Sequence, residues 1–161
     1  MTETLTDLVS KLERAHSAFC EVLVELGETD RLDERPQAGE WSAREVTAHQ
    51  VNSERLLRAI AEAGRTDRAA NSEVRVVEGE TGSMAEFDGA TLARLVRLLE
   101  SERESTLALL AHATDADLGH ECGMAPWGEE LTLGRVLAVL VAHQGRHTAQ
   151  FSAMLRTARA S

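Results

Sequence analysis

Leu131-Thr132-Leu133-Gly134-Arg135-Val136-Leu137-Ala138-Val139-Leu140-Val141-Ala142-His143-Gln144-Gly145-Arg146-His147-Thr148-Ala149-Gln150-Phe151-Ser152-Ala153-Met154 is the stretch on which the fold turns. Leu133, Val136, Leu140, His143, His147, Gln150 and Met154 recur at the spacing of one helical face, and Thr132 stands where an N-cap belongs. The apolar run inside it, Leu137 to Ala142, is far short of the roughly 20 residues that span a bilayer. This predicts an amphipathic helix that must bury its stripe against partners.

The same period appears three times upstream. Leu5, Leu8, Leu12, Ala15, Phe19, Val22 and Leu26 form one stripe, with Gly27 as a C-terminal cap residue. After a polar loop to Glu40, Trp41-Ser42-Ala43-Arg44-Glu45-Val46 predicts a helix start. Ser42 and Glu45 form a capping box, and Trp41 and Val46 sit where a hydrophobic staple belongs. That stripe runs Val46, His49, Ser53, Leu56, Ile60 and ends near Gly64. Residues 65–89 read as a long connection, with an extended piece at Val74–Val77. A third helix begins near Gly89 with Leu92, Leu95, Leu99, Thr106 and Leu110 on one face, which Glu102 and Arg103 interrupt. Residues 113–130 form another connection, with a helical turn at Asp115–Leu118 and a chain reversal at Pro126-Trp127-Gly128. Four helices, each roughly 30 Å long, predict an all-α four-helix bundle with long inter-helix connections. The pattern predicts one domain over residues 1–161, with Leu8, Leu12, Phe19, Leu56, Ile60, Leu95, Leu99, Leu140 and Met154 in its core. Periodicity does not choose the order in which the helices pack.

Composition narrows the function. A net charge of −10 repels phosphate backbones and anionic membranes, so neither nucleic acid nor membrane is the expected partner. No tyrosine and two tryptophans are too few aromatics for a base-stacking platform. Cys20 and Cys122 make no disulfide framework or zinc ribbon, and Cys20 reads as a structural buried thiol. The acidic N-terminus has no basic start or apolar run of a signal peptide, so the expected address is the cytoplasm. The preference for Arg over Lys suggests a GC-rich bacterial genome.

His143 and His147, four residues apart on the inward stripe, can point both imidazoles at one ion. His49 lies on the inward stripe of the second helix and is the third ligand that a catalytic-type site with an open position needs. A hydrogen-bonded core cluster is the alternative, but three inward histidines without nearby carboxylates favour a metal. His16, His112 and His120 read as structural. The His-Glu-x-x-His arrangement of zinc peptidases is absent, because Gln144 stands where that glutamate would. A general base must come from elsewhere, with Glu54 and Glu102 as candidates. Gln150 or Glu54 would close the coordination if the ion only stapled helices. Arg44 and Arg146 stand near the bundle mouth, where they would hold a carboxylated ligand or be solvated.

Trp41-Ser42-x-x-Glu45-Val46-x-x-His49, then Asn52-Ser53-Glu54, resembles the second-helix signature of the DinB-like (DinB/YfiT) superfamily. Leu131-Thr132-Leu133 and His143-x₃-His147-x-x-Gln150 resemble that family's last helix. The resemblance covers nearly the whole chain. It implies a four-helix bundle, often a homodimer, with a divalent metal ion, zinc or nickel first, on His49, His143 and His147. It further implies a metal-dependent transferase or isomerase that uses a low-molecular-weight thiol such as mycothiol, bacillithiol or glutathione, or a hydrolase. The expected function is thiol S-transfer to a small-molecule electrophile. A metal-dependent hydrolase and a non-catalytic stress-related metal-binding module are the alternatives. No residue is assigned a catalytic or thiol-binding role.

Overall fold

The computed structural model describes residues 3–66 and 84–161. Four helices carry it: α1 Leu5–Gly27, α2 Ala43–Thr66, α3 Leu92–Leu110 and α4 Leu133–Ala160. One-turn 3₁₀ helices lie at Met84–Phe87 and Asp115–Gly119, and a small antiparallel hairpin joins β1 Glu121–Met124 to β2 Glu130–Thr132. The expected four-helix bundle is therefore present. The extended piece expected at Val74–Val77 lies outside the described residues.

Local chemistry sets the helix starts. Ser42 N–H donates to Glu45 Oε2 at 2.8 Å and Glu45 N–H donates back to Ser42 Oγ at 3.2 Å, the capping box read from the sequence. Thr132 Oγ1 accepts from Arg135 N–H at 3.2 Å and so caps α4. Thr4 pairs in the same way with Asp7, while Leu5 N–H reaches Asp115 Oδ1 at 2.8 Å and ties the start of α1 to the 115–119 turn. Gly27 differs from expectation. It is the last residue of α1, and the capping position is Glu28 in right-handed helical geometry. A Cβ there would stand 2.6 Å from Leu92 Cδ2, so a larger residue would require the Leu92 side chain to move.

The hairpin was not anticipated, because strands of four and three residues are too short to show a period. Its reversal at Pro126-Trp127-Gly128 does follow the sequence, with Gly128 at φ +86. Packing fixes the rest. Cys122 and Leu131 are buried, and a Cβ on Gly64 of α2 would collide with the Cys122 backbone. His120 Nε2 meets the Gly64 carbonyl at 2.6 Å, a structural role as expected.

α1 lies along α4, while α2 contacts both α3 and α4. The core has two parts. Leu8, Leu12, Leu57, Ile60, Leu131 and Leu140 pack at the hairpin end, and Phe19, Val46, Val51, Leu95, Leu99 and Phe151 at the other. The Phe19 and Phe151 rings, 4.8 Å apart, join α1 to α4. Leu56 and Met154, expected inside, are half-buried. Leu57, Phe151 and Leu155 take the interior instead, because α2 and α4 each pack on more than one neighbour and the buried face is broader than one stripe. Along α2, α3 and α4 the buried Glu54, Arg103 and Gln144 fall between the two apolar groups, so a polar layer divides the core.

Candidate metal centre

His49 of α2 meets His143 and His147 of α4 beside that polar layer. His143 Nε2 lies 2.9 Å from His49 Nε2 and 3.1 Å from His147 Nε2, and the three ligand atoms all fall within 4.8 Å of one another. Four-residue spacing on α4 puts two of the rings on one side, edge to face with centroids 4.5 Å apart. The Ser42–Glu45 box starts α2 so that His49 comes round to face them.

The proton inventory favours a cation at this point. Gln150 Oε1 is 2.9 Å from His147 Nδ1, and a carboxamide oxygen only accepts, so that nitrogen carries the proton. The lone pair of His147 Nε2 then faces the cluster. His143 Nε2 touches both other rings, yet one proton can be donated to only one of them. Protons alone therefore leave one of the two contacts without its own hydrogen bond, whereas a divalent cation would take the lone pairs of all three rings. The residues fit a tri-imidazole site that keeps a coordination position open. Gln150 is the second partner that metal-bound histidines usually have, and it orients the ring rather than closing the coordination. The Nδ1 atoms of His49 and His143 are buried with no hydrogen-bond partner in the protein among the described residues.

Electrostatics keep the ligands neutral. Burial, then the neighbouring His147 and Arg146 charges, lower His49 to about 4. Burial with His147, His49 and Arg146 lowers His143 to about 3. His147 moves down too, chiefly by burial, although its hydrogen bond to Gln150 opposes the shift. Competition from protons therefore sets in below the ordinary imidazole range that the sequence alone suggests.

Neither carboxylate considered as a base belongs to the cluster. Glu54 is buried, with Oε1 accepting from Thr106 Oγ1 at 2.8 Å and Oε2 from Arg103 Nη2 at 3.2 Å. The same Nη2 donates to Gln144 Oε1 at 2.8 Å, so Arg103 ties α2 to α4 from α3. Burial pushes the Glu54 carboxyl up, and Arg103 pulls it down. Glu102 is taken by Arg55 Nε at 2.7 Å and Arg58 Nη2 at 2.5 Å. The interruption at Glu102 and Arg103 in the α3 stripe was the visible sign of this polar layer.

The Arg44 guanidinium is engaged within the protein. It pairs with Asp33 at 2.5 Å and donates to the Phe87 carbonyl, closing the 84–90 segment onto α2. Arg146 is exposed, and its charge reaches all three histidines. Cys20 is half-buried, burial pushes its thiol up to about 11, which disfavours the thiolate, and its Sγ stands 3.7 Å from His16 Nε2. Trp41 was missed as a site residue. Its ring centroid is 4.9 Å from that of His49 while 42% of the residue remains exposed, so it walls the mouth of the site.

A family model described as the DinB superfamily matches residues 11–151. The chain belongs to the DinB superfamily. Solved structures show the fold of this DinB-superfamily chain in two bacilli. A DinB-like protein from Bacillus cereus ATCC 10987 aligns with a TM-score of 0.68 at 18% identity, covering 98% of this chain and 95% of that one. YfiT from Bacillus subtilis, described as a probable metal-dependent hydrolase with an unusual four-helix bundle topology, aligns at 0.58 and 22% identity, covering 91% and 86%. No curated protein matches the sequence. Among the described residues, no helix of this DinB-superfamily protein is long and apolar enough to cross a membrane.

Proposed function

We propose that this protein is a metal-dependent enzyme that activates a low-molecular-weight thiol for S-transfer to a small electrophile. His49, His143 and His147 would hold the ion, with zinc or nickel the first candidates from the family resemblance. The carrying observation is the convergence of three imidazole Nε2 atoms with no carboxylate in the cluster among the described residues. A bound ion would supply Lewis acidity, lowering the pKa of a thiol or water at the open position.

The lack of an uncommitted base beside the histidines among the described residues favours the thiol. Coordination alone deprotonates a thiol, whereas metal-assisted hydrolysis commonly draws on a carboxylate, and Glu54 and Glu102 are committed to arginines. The thiolate sulfur would form a bond to the electrophilic carbon as the leaving group departs with its electron pair. Arg146 would draw an anionic thiol toward the mouth, and the exposed Trp41 ring offers an apolar wall. Hydrolysis is the second reading, supported by the description of the Bacillus subtilis neighbour.

Metal content of the purified wild type and of His147→Ala is the first test, with about one divalent ion per chain expected in the former and none in the latter. Loaded protein is then assayed for conjugation of a chloronitrobenzene to cysteine-derived thiols and for ester hydrolysis. Conjugation without hydrolysis supports the first reading, and the reverse supports the second. Metal without either activity would make the ion a helix staple, and no metal at neutral pH would end the enzyme reading. A cytoplasmic homodimer belongs to the same proposal. A light-scattering mass of 17.5 kDa at micromolar concentration would remove the dimer.

A further inference from the structure

Behind His147 a pocket of about 320 Å³ opens between the end of α1, the loop that follows it and residues 150–158 of α4. That volume lies within the range of small-molecule sites. Its wall includes the buried Leu26, with Pro36 and the half-buried Met154. Gln150 also lines it, and Gln150 is the lining residue that hydrogen-bonds a triad histidine. Its Oε1 is used by His147 Nδ1, whereas its amide N–H groups make no hydrogen bond among the described residues. The pocket therefore offers an apolar wall and, besides the exposed Gln37 carboxamide at its rim, the unused donor of the half-buried Gln150.

The rim selects against anions. Glu34 and Glu40 line it against a single guanidinium, Arg31, which already faces Glu34 at 3.5 Å and Ser161 Oγ at 3.0 Å. A carboxylate ligand would meet two like charges and a cation that is already engaged. We infer that this pocket binds a neutral, mainly apolar molecule bearing a carbonyl oxygen, of the amide or ester class, whose oxygen accepts from Gln150 Nε2. The same carboxamide orients His147, so the occupant bears on the ring that faces the metal centre. Gln150 is thus a positioning residue between the two sites. Binding stands on the pocket alone, and only this link to His147 rests on the metal reading.

The test uses N-butylacetamide as the neutral probe and hexanoate as its anionic counterpart, added to metal-free protein. Expected is a saturable shift of the Gln150 side-chain NH₂ signals in ¹H–¹⁵N spectra, with hexanoate about tenfold weaker or worse. Met154→Trp fills the pocket and should abolish the shift while the helical circular-dichroism spectrum is retained. Ala153→Leu blocks the same wall should the Trp variant fail to fold. No saturable shift, equal binding of hexanoate, or a response that survives blockage would overturn the inference. On cobalt-loaded protein the amide should change the visible spectrum of the wild type but not of the blocked variant. An unresponsive spectrum overturns the link to His147. A protein that takes up no cobalt fails the metal reading, and the NMR result still decides the pocket.

Discussion

Arg103→Met removes one member of a pair in which both side chains are almost wholly buried. Arg103 is 4% exposed and Glu54 1%. Its Nη2 holds Glu54 Oε2 at 3.2 Å and Gln144 Oε1 at 2.8 Å, and Thr106 is the other donor to Glu54. Methionine keeps an unbranched apolar stem but leaves the carboxylate with one hydroxyl for company. Breaking a buried pair from one side costs about 3–5 kcal/mol. For a chain of this length that is a Tm loss of roughly 6–20 °C.

The loss should depend on pH in a definite direction. Burial already raises the Glu54 carboxyl, and Arg103 is the main group that opposes it. Without Arg103 the carboxyl titrates higher still, so the variant suffers most above that pKa and recovers as pH falls through it. Adding Glu54→Gln removes the orphaned charge and should restore most of the loss. Urea unfolding followed by circular dichroism, near neutral pH and about two units lower, measures all three proteins. A single variant within about 1 kcal/mol of wild type would refute the reasoning, as would a double variant no more stable than the single. Because Arg103 joins the helices that carry the histidines, the folded single variant should also bind zinc more weakly.

Other perturbations reach separate links of the same argument. Ser42→Ala should lower stability by about 1 kcal/mol, read as the shift in urea midpoint, because Glu45 N–H loses its acceptor. Metal-free protein should lose stability as pH falls from the ordinary imidazole range toward about 4, since His16 and His49, both lowered to about 4, bind protons in the unfolded chain first. A flat urea midpoint over that window would contradict their burial as neutral rings. Gly64→Ala should destabilise by about 1–3 kcal/mol or more, because the new methyl meets the Cys122 carbonyl oxygen at 2.9 Å and cannot clear its backbone. Thermal unfolding reports it, and an unchanged Tm would show that the hairpin can shift freely.

Much of this protein is written over short distances along the chain. The Ser42–Glu45 box, the Thr132 cap and the His143–His147 pair depend on residues within four positions of each other, so helix geometry makes them readable from sequence. The family signature around His49 adds a third histidine to that pair. What stayed hidden depends on contacts between helices. Arg103 meets Glu54 across 49 positions, and only packing brings them together. A periodic stripe shows which side of a helix is apolar but not how wide the buried face becomes between two neighbours, hence Leu57 inside and Leu56 half out. The fate of a charged side chain is equally non-local. Glu54 and Glu102 look like free bases in the sequence, and Gln150 like a fourth ligand, until neighbouring helices supply arginines to the first two and His147 Nδ1 to the third. Hydrophobic period and capping are properties of one helix, whereas the use of a polar group is set by whatever desolvates and pairs it.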